Sequence, residues 1–405
     1  MREGKYKRLL YKTKIIPAYR AFIQYRENKK QERLGKLDRW YFMFLPIKKK
    51  KIVFDSFCGK GYSDNSKAIA KEILSQGLKW DLVWLVNETQ DMPSEIRQVK
   101  YGSLEAMKEL TTAKIWVFNC RCVKHPRKKR KQKYLQTWHG TGITFKAIEG
   151  MTDNLSKSYV DAAKNDGRES DYILSYCSGL TFIEKNFFWL ANTVQILEYG
   201  CPSCDALFDE KELDKIKRRV RSYYNIKEGK NIILYMPTFR DDTTTSGLDM
   251  DYSRVIDAFE QNFGADFCFI IRLHPNVASL FELRITDSRI INATKYPEAM
   301  DLFSIADFCI TDYSSGIFYG LPNVKKCFIY ASDYDEYKST RGFTEYYDNL
   351  PIRINKTNDE LVEAILNFDE IDYYEKWSNY LESEKFFNDG KASRKVVDLF
   401  KKIIS

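Results

Sequence analysis

Short apolar runs alternate with helical stretches along this chain, and the pattern pauses near residue 209 and restarts near residue 231. The runs at 51–57, 81–86, 114–118, 134–138, 171–175 and 194–199 are too short for buried helices and read as strands. Helices are expected at 63–74, with Ser63 or Asp64 as N-cap, and at 103–111. After a charged helix at 210–224 and a polar turn at 225–230, strands follow at 231–235, 266–272, 290–292, 307–311 and 326–330. Helices are expected at 252–262, 298–305, 359–367, 375–387 and 392–404, the last crossing back to the first unit. Strands alternating with helices in this way predict α/β units built on parallel, doubly wound sheets.

A chain of 405 residues exceeds one ordinary core and fits two such units. We divide it into a basic, aromatic-rich segment at 1–46, a first domain at 47–208 and a second at 209–405. Charge supports the first cut. Residues 1–51 hold 17 Lys and Arg against four acids, a local charge of +13, so the remainder carries −4 of the overall +9. The run Trp40 to Leu45 with Lys48 to Lys51 behind it suits an interfacial anchor on an anionic membrane. A helix packing its apolar face on the body is the plainer reading. No stretch reaches the roughly 18 apolar residues of a membrane-spanning helix, and residues 1–19 lack the apolar core of a signal peptide. Nine scattered cysteines indicate a reducing compartment. Cys201-Pro-Ser-Cys204 has redox or zinc spacing without the second ligand pair a zinc site needs.

Four segments lie where strands end, the place where open α/β sheets bind ligands. Gln136-Thr-Trp-His-Gly-Thr-Gly142 can expose the imidazole of His139 in a cleft, while Gly140 and Gly142 allow close backbone approach. Tyr235-Met-Pro-Thr-Phe-Arg-Asp-Asp242 offers Thr238 and Arg240 to phosphate, and its two acids read as solvated rather than as metal ligands. In Ile271-Arg-Leu-His-Pro-Asn276, Arg272 and His274 alternate and share one side of the chain. Ile310-Thr-Asp-Tyr-Ser-Ser-Gly-Ile-Phe318 leads from a strand into a helix start, where hydroxyls and backbone N–H groups favour phosphate. N-capping by Asp312 or Ser314 accounts for part of that cluster. His125 stands in a basic loop whose Arg127, Lys128, Lys129, Arg130 and Lys131 could hold an anionic acceptor or a membrane. No Walker A lysine loop, G-x-G-x-x-G, G-x-S-x-G or H-E-x-x-H is present.

These segments, in this order, resemble the CDP-glycerol:poly(glycerol phosphate) glycerophosphotransferases, a family of teichoic acid primases, polymerases and related capsule enzymes. The matching stretches are Tyr134 to Thr141, Met236 to Asp241, Arg272 to His274 and Thr311 to Ser315. Phe54 to Phe57, Tyr62 to Asn65 and Arg341 to Phe343 match as well, so the likeness spans roughly residues 50 to 395. The resemblance implies a GT-B architecture of two Rossmann-like domains, with the donor nucleotide bound mainly by the second, and monotopic membrane association. It also implies donor contacts from Trp138, His139, Gly140, Thr141, Thr238, Phe239, Arg272, Leu273, His274, Ser314 and Ser315. The chain departs from the family at Ser203, where an arginine is usual, at Tyr319, where an aspartate is usual, and at Gly142, where proline is usual.

The activity expected is transfer of glycerol phosphate or ribitol phosphate from a CDP-polyol to a lipid-linked anionic polymer at the cytoplasmic face of the membrane, releasing CMP. His139 would be the general base. Arg272, His274, Ser314 and Ser315 would neutralise the donor diphosphate. No metal, cofactor or nucleic-acid partner is expected. The alternatives are a GT-B glycosyltransferase using a nucleotide sugar and a polyanion-binding protein led by the basic N-terminus.

Overall fold

The computed structural model describes residues 41–121, 125–139, 157–238, 249–273, 285–314, 325–340, 347 and 349–405. The first half runs β1 (Lys48–Asp55), α1 (Asp64–Ser75), β2 (Asp81–Val86), β3 (Ile96–Lys100), α2 (Leu104–Thr112), β4 (Ala113–Phe118), β5 (Lys133–Gln136), α3 (Lys157–Glu169), β6 (Tyr172–Leu174), α4 (Ser178–Phe187) and β7 (Gln195–Leu197). A 3-10 turn at Pro202–Phe208 and α5 (Glu210–Tyr224) lead onward. The second half runs β8 (Asn231–Tyr235), α6 (Tyr252–Phe263), β9 (Phe267–Ile271), β10 (Ile290–Asn292), α7 (Ala299–Ile305), β11 (Phe308–Thr311), β12 (Lys326–Tyr330), α8 (Tyr334–Thr340), β13 (Ile354–Asn355), α9 (Asn358–Leu366), α10 (Glu370–Ser383) and α11 (Ala392–Ile404).

The strands form two sheets, ordered β3-β2-β1-β4-β5-β6-β7 and β10-β9-β8-β11-β12-β13. Every strand pair among the described residues is parallel. Central strands such as Phe267–Ile271 are buried along their whole length, as expected of strands covered on both faces. Each order reverses once, between β1 and β4 and between β8 and β11, so each sheet has a crevice at its strand carboxyl ends.

Local chemistry sets several helix ends. Ser103 caps α2, Asp209 accepts the N–H groups of Lys211 and Glu212, and Thr357 with Glu360 forms a capping box. Ser63 occupies the N-cap of α1, but its side chain makes no capping bond. The expected return of the last helix is present. Asp205, in the 3-10 turn, accepts the N–H groups of Ala392 (3.0 Å) and Ser393 (2.7 Å), and Glu384 accepts Ser178 and Gly179 at the start of α4. The C-terminal segment therefore packs on the first sheet's helices.

The lysine run before β1 is split by the fold. Lys48, Lys49 and Lys50 are exposed, whereas Lys51 is buried against Glu109 and Thr112. Glu109 also takes Arg97, which pairs with Asp81, so the buried ammonium is compensated within a network.

Candidate active site

At the crevice of the first sheet, β1 ends in a tight turn. Phe57, Cys58 and Gly59 all have left-handed backbones, and the Asp55 carboxylate accepts the N–H of Cys58 (3.2 Å) and Gly59 (2.7 Å). A Cβ at Gly59 would lie 2.7 Å from Cβ of Tyr101, so only glycine fits. Across the crevice, Asn119 follows β4. Its side-chain oxygen accepts the Phe57 N–H (2.8 Å) and its amide donates to Asp64 (2.6 Å).

The backbone carbonyl of that same Asn119 meets Nδ1 of His139 at 2.5 Å. A carbonyl can only accept, so Nδ1 carries the proton and Nε2 keeps its lone pair. Burial pushes the imidazole pKa below its ordinary value and Arg121 adds to this, while the Asn119 bond opposes it. Burial thus favours the neutral imidazole, with its proton on Nδ1. Trp138 enters a left-handed conformation to make this turn, and its N–H is taken by Gln136 Oε1 (3.0 Å). Its ring packs with Ile173, Ile183 and Phe188. Trp138 is 5% exposed and forms a wall beside His139, the ring centroids lying 4.5 Å apart.

Asn65 ties this crevice to the following segment. Its amide donates to the carbonyl of Trp138 (3.0 Å), and its oxygen accepts the N–H of Ser203 (3.0 Å). Asp64 beside it has a positive φ, and burial raises its carboxyl to about 7, with the charge of Glu298 adding to the shift. Glu298 belongs to the second half, just before α7, and Lys67 of α1 pairs with it at 3.1 Å. The same glutamate lies near Arg272. The two crevices therefore share one electrostatic neighbourhood.

At the crevice of the second sheet, Asp312 is 1% exposed and gathers the loop after β8. It accepts the N–H of Thr238 (2.8 and 2.9 Å), the Thr238 hydroxyl (2.6 Å) and the N–H of Tyr313 (2.6 Å). The Thr238 hydroxyl proton is thereby engaged, and Asp312 locks two strand ends together. Arg272 follows β9, with its N–H on the Tyr235 carbonyl (2.9 Å). Its guanidinium has one long contact, to the Tyr296 carbonyl (3.5 Å), and its buried Nε has no partner. No carboxylate lies within ion-pair distance of it among the described residues. Burial lowers its pKa, with Glu298 acting against the shift.

His139, Trp138, Thr238, Arg272, Leu273 and Ser314 stand at strand ends as the sequence predicts, whereas Gly140, Thr141, Phe239, His274 and Ser315 lie outside the described residues. The basic loop is elsewhere. It precedes β5, at the amino edge of the first sheet, opposite the edge that carries His139. Lys128 pairs with Asp171 (2.7 Å), and Lys129 donates to the carbonyls of Phe42 (3.2 Å) and Leu45 (2.6 Å), while Arg127, Arg130 and Lys131 are exposed. Cys201 and Cys204 are each 1% exposed under α1 and read as packed thiols. Asp55, Cys58 and Cys120 bring ligand atoms within 4.8 Å of one another, the one such group among the described residues. Sequence reading missed Asn119, Asp64 and Asn65 as organisers of the site. Asn119 had no signal but its position directly after a strand, while Asp64 and Asn65 stood at a helix start within the matching stretch Tyr62 to Asn65.

Comparison with known proteins shows the family and the fold. The family described as CDP-glycerol:poly(glycerophosphate) glycerophosphotransferase matches residues 40–402. The teichoic acid poly(glycerol phosphate) polymerase of Staphylococcus epidermidis is 30% identical over 88% of this chain and 51% of its own length. The chain thus spans about half of that polymerase. The teichoic acid glycerol-phosphate transferase of Staphylococcus aureus is 30% identical over 85% of this chain and 91% of its own length. A poly(ribitol-phosphate) polymerase of Bacillus spizizenii is 27% identical over 88% of this chain. The solved wall teichoic acid polymerase TagF superposes with a TM-score of 0.79 at 29% identity, covering 96% of this chain and 98% of that one. A variant of TagF has been solved after soaking with CDPG. The architecture is GT-B, and the chain belongs to the CDP-glycerol:poly(glycerophosphate) glycerophosphotransferase family.

Proposed function

We propose that this chain transfers a polyol phosphate, from CDP-glycerol or CDP-ribitol, to the hydroxyl end of a teichoic-acid-like or capsular polymer. The observation that carries the reading is the oriented His139. With Nδ1 donating to Asn119, Nε2 takes the proton of the acceptor hydroxyl as its oxygen attacks the polyol-bearing phosphorus. The P–O bond to CMP breaks, and CMP leaves with the bonding pair. Arg272, with no acid partner among the described residues, neutralises charge on the diphosphate, and His274, Ser314 and Ser315 contribute to the same end. Ser203 bears on substrate choice. It stands beside Asn65 and Asp64 at the crevice with no positive charge to offer. A panel of CDP-glycerol, CDP-ribitol and nucleotide sugars, each offered with a lipid-linked acceptor, tests the reading. Turnover with a CDP-polyol is expected. Turnover with nucleotide sugars alone would replace it with glycosyl transfer.

We further propose that the chain works at the cytoplasmic face of a membrane, bound peripherally. No helix among the described residues is long and apolar enough to cross a membrane. The amino edge of the first sheet collects exposed Tyr41 and Phe44, Lys48, Lys49 and Lys50, and Arg127, Arg130 and Lys131. Mutual repulsion is felt there, since Lys133, Lys49 and Lys131 add to the burial that lowers the Lys114 pKa. Aromatic rings among clustered cations suit an anionic interface. Residues 1–40 of the basic segment lie outside the described residues. Co-sedimentation with anionic vesicles, lost when Arg127, Arg130 and Lys131 are changed to Ser and residues 1–46 removed, is the expected result. Equal binding by the altered protein would exclude this edge.

A further inference from the structure

Arg121 stands two residues past Asn119, on the β4 side of the His139 crevice, and apart from its charge beside His139 no role in the reaction has been given to it. Its guanidinium carbon lies 4.8 Å from the ring centroid of Phe188, 5.0 Å from Trp138 and 5.6 Å from Tyr159. Nη1 donates to the Tyr159 hydroxyl (2.8 Å), while Nη2 is buried with no hydrogen-bond partner. No carboxylate of the described residues pairs with it. Asp166 is close enough to feel its charge, but that carboxylate takes the Tyr134 hydroxyl (2.5 Å) and the Gln136 amide (3.2 Å). A buried N–H without an acceptor is costly and uncommon in native proteins. Held by aromatic faces with Nη2 unanswered, a guanidinium is a receptor for an anionic oxygen of a carboxylate or phosphate.

We infer that Arg121 binds the phosphate of the acceptor's terminal polyol-phosphate unit and so positions that unit's hydroxyl on His139. The inference rests on the polyol-phosphate reading and names the acceptor group within it. Trp138 connects the two side chains, since its ring packs at a tilt against His139 on one hand and lies under Arg121 on the other. A polyol phosphate carries its attacking hydroxyl only a few bonds from its phosphodiester. One such unit can therefore span a base and a guanidinium that share a wall. The donor diphosphate has a separate cation, Arg272, on the second sheet. Arg121 is a specificity and positioning residue here. It favours polymers ending in a polyol phosphate over neutral hydroxyl ends.

The test uses the full chain, as wild type, Arg121→Gln and Arg121→Lys. CDP-glycerol is the donor, and two lipid-linked acceptors differ in ending with glycerol phosphate or with a neutral sugar. Arg121→Gln should raise KM for the phosphate-ended acceptor at least about tenfold, the size of one charge-assisted hydrogen bond. KM for CDP-glycerol should stay within about twofold, and the preference over the neutral acceptor should disappear. Arg121→Lys, which keeps the charge and the fold, should recover part of the loss. A rise confined to the CDP-glycerol KM would assign the phosphate to the donor and overturn the inference. Unchanged acceptor KM in both variants would overturn it as well. Calorimetric titration with sn-glycerol 3-phosphate separates the two readings. Binding by wild type that Arg121→Gln loses, in a protein that does not turn over CDP-glycerol, would support the receptor while defeating the transferase reading.

Discussion

The two crevices are built on the same strand-end plan and filled with opposite chemistry. In the first sheet, Asn119 binds Phe57, Asp64 and His139 at once and so orients the imidazole. In the second, Asp312 engages Thr238 and Tyr313, while Arg272 has no carboxylate partner among the described residues. In the function proposed above, the first crevice fixes where a proton goes and the second presents positive charge to the donor, so that one shared fold divides acid–base work from charge neutralisation.

That division can be broken at each point. His139→Ala should lower kcat by about a hundredfold or more, the low end of general-base contributions, measured as acceptor-dependent CMP release. Arg272→Ala should weaken CDP-glycerol binding by about ten- to a hundredfold by calorimetry, the range of one or two charge-assisted contacts, with less effect on the acceptor. Asp312→Asn should lower unfolding free energy by about 1–3 kcal/mol, because a buried donor of Thr238 or Tyr313 loses its acceptor. Denaturant titration reads this directly. The smallest effects are in pH. Because burial depresses the His139 pKa, the acid limb of kcat/KM should fall below about 6.5, the ordinary histidine value. Asp64 behaves in the opposite sense. Its folded carboxyl keeps the proton up to about 7, well above its unfolded value, so it destabilises the fold increasingly as pH rises toward 7. Asp64→Asn should therefore gain stability relative to wild type between about pH 4 and pH 7, then hold a constant gap. A gap that does not change with pH would show that Asp64 is not buried as described.

Much of this was legible before any coordinates. Strands such as 231–235 and 326–330 are continuous apolar runs, and burial on both faces makes such runs unambiguous. β3 was not legible, since Ile-Arg-Gln-Val-Lys buries only Ile96 and Val99 at the sheet edge. Nor was α3, whose buried face is Ala163, Asp166 and Gly167, small and polar residues that give no helical stripe. His139 was readable because histidines are rare here and this one sits among Trp and Gly at a strand end. Asn119 was not, because it acts on His139 through a backbone carbonyl, which every residue has. The burial of Trp138 was not legible either, because it follows from a left-handed backbone that turns the ring into the core.

The central claim is that the acceptor oxygen attacks phosphorus and not carbon, and the nucleotide released reports this directly. The full chain, given CDP-glycerol and a lipid-linked acceptor ending in glycerol phosphate, should release CMP in equal amount to the glycerol phosphate added to the polymer. Release of CDP, with glycerol but no new phosphate in the product, would mean attack at carbon and would contradict the account.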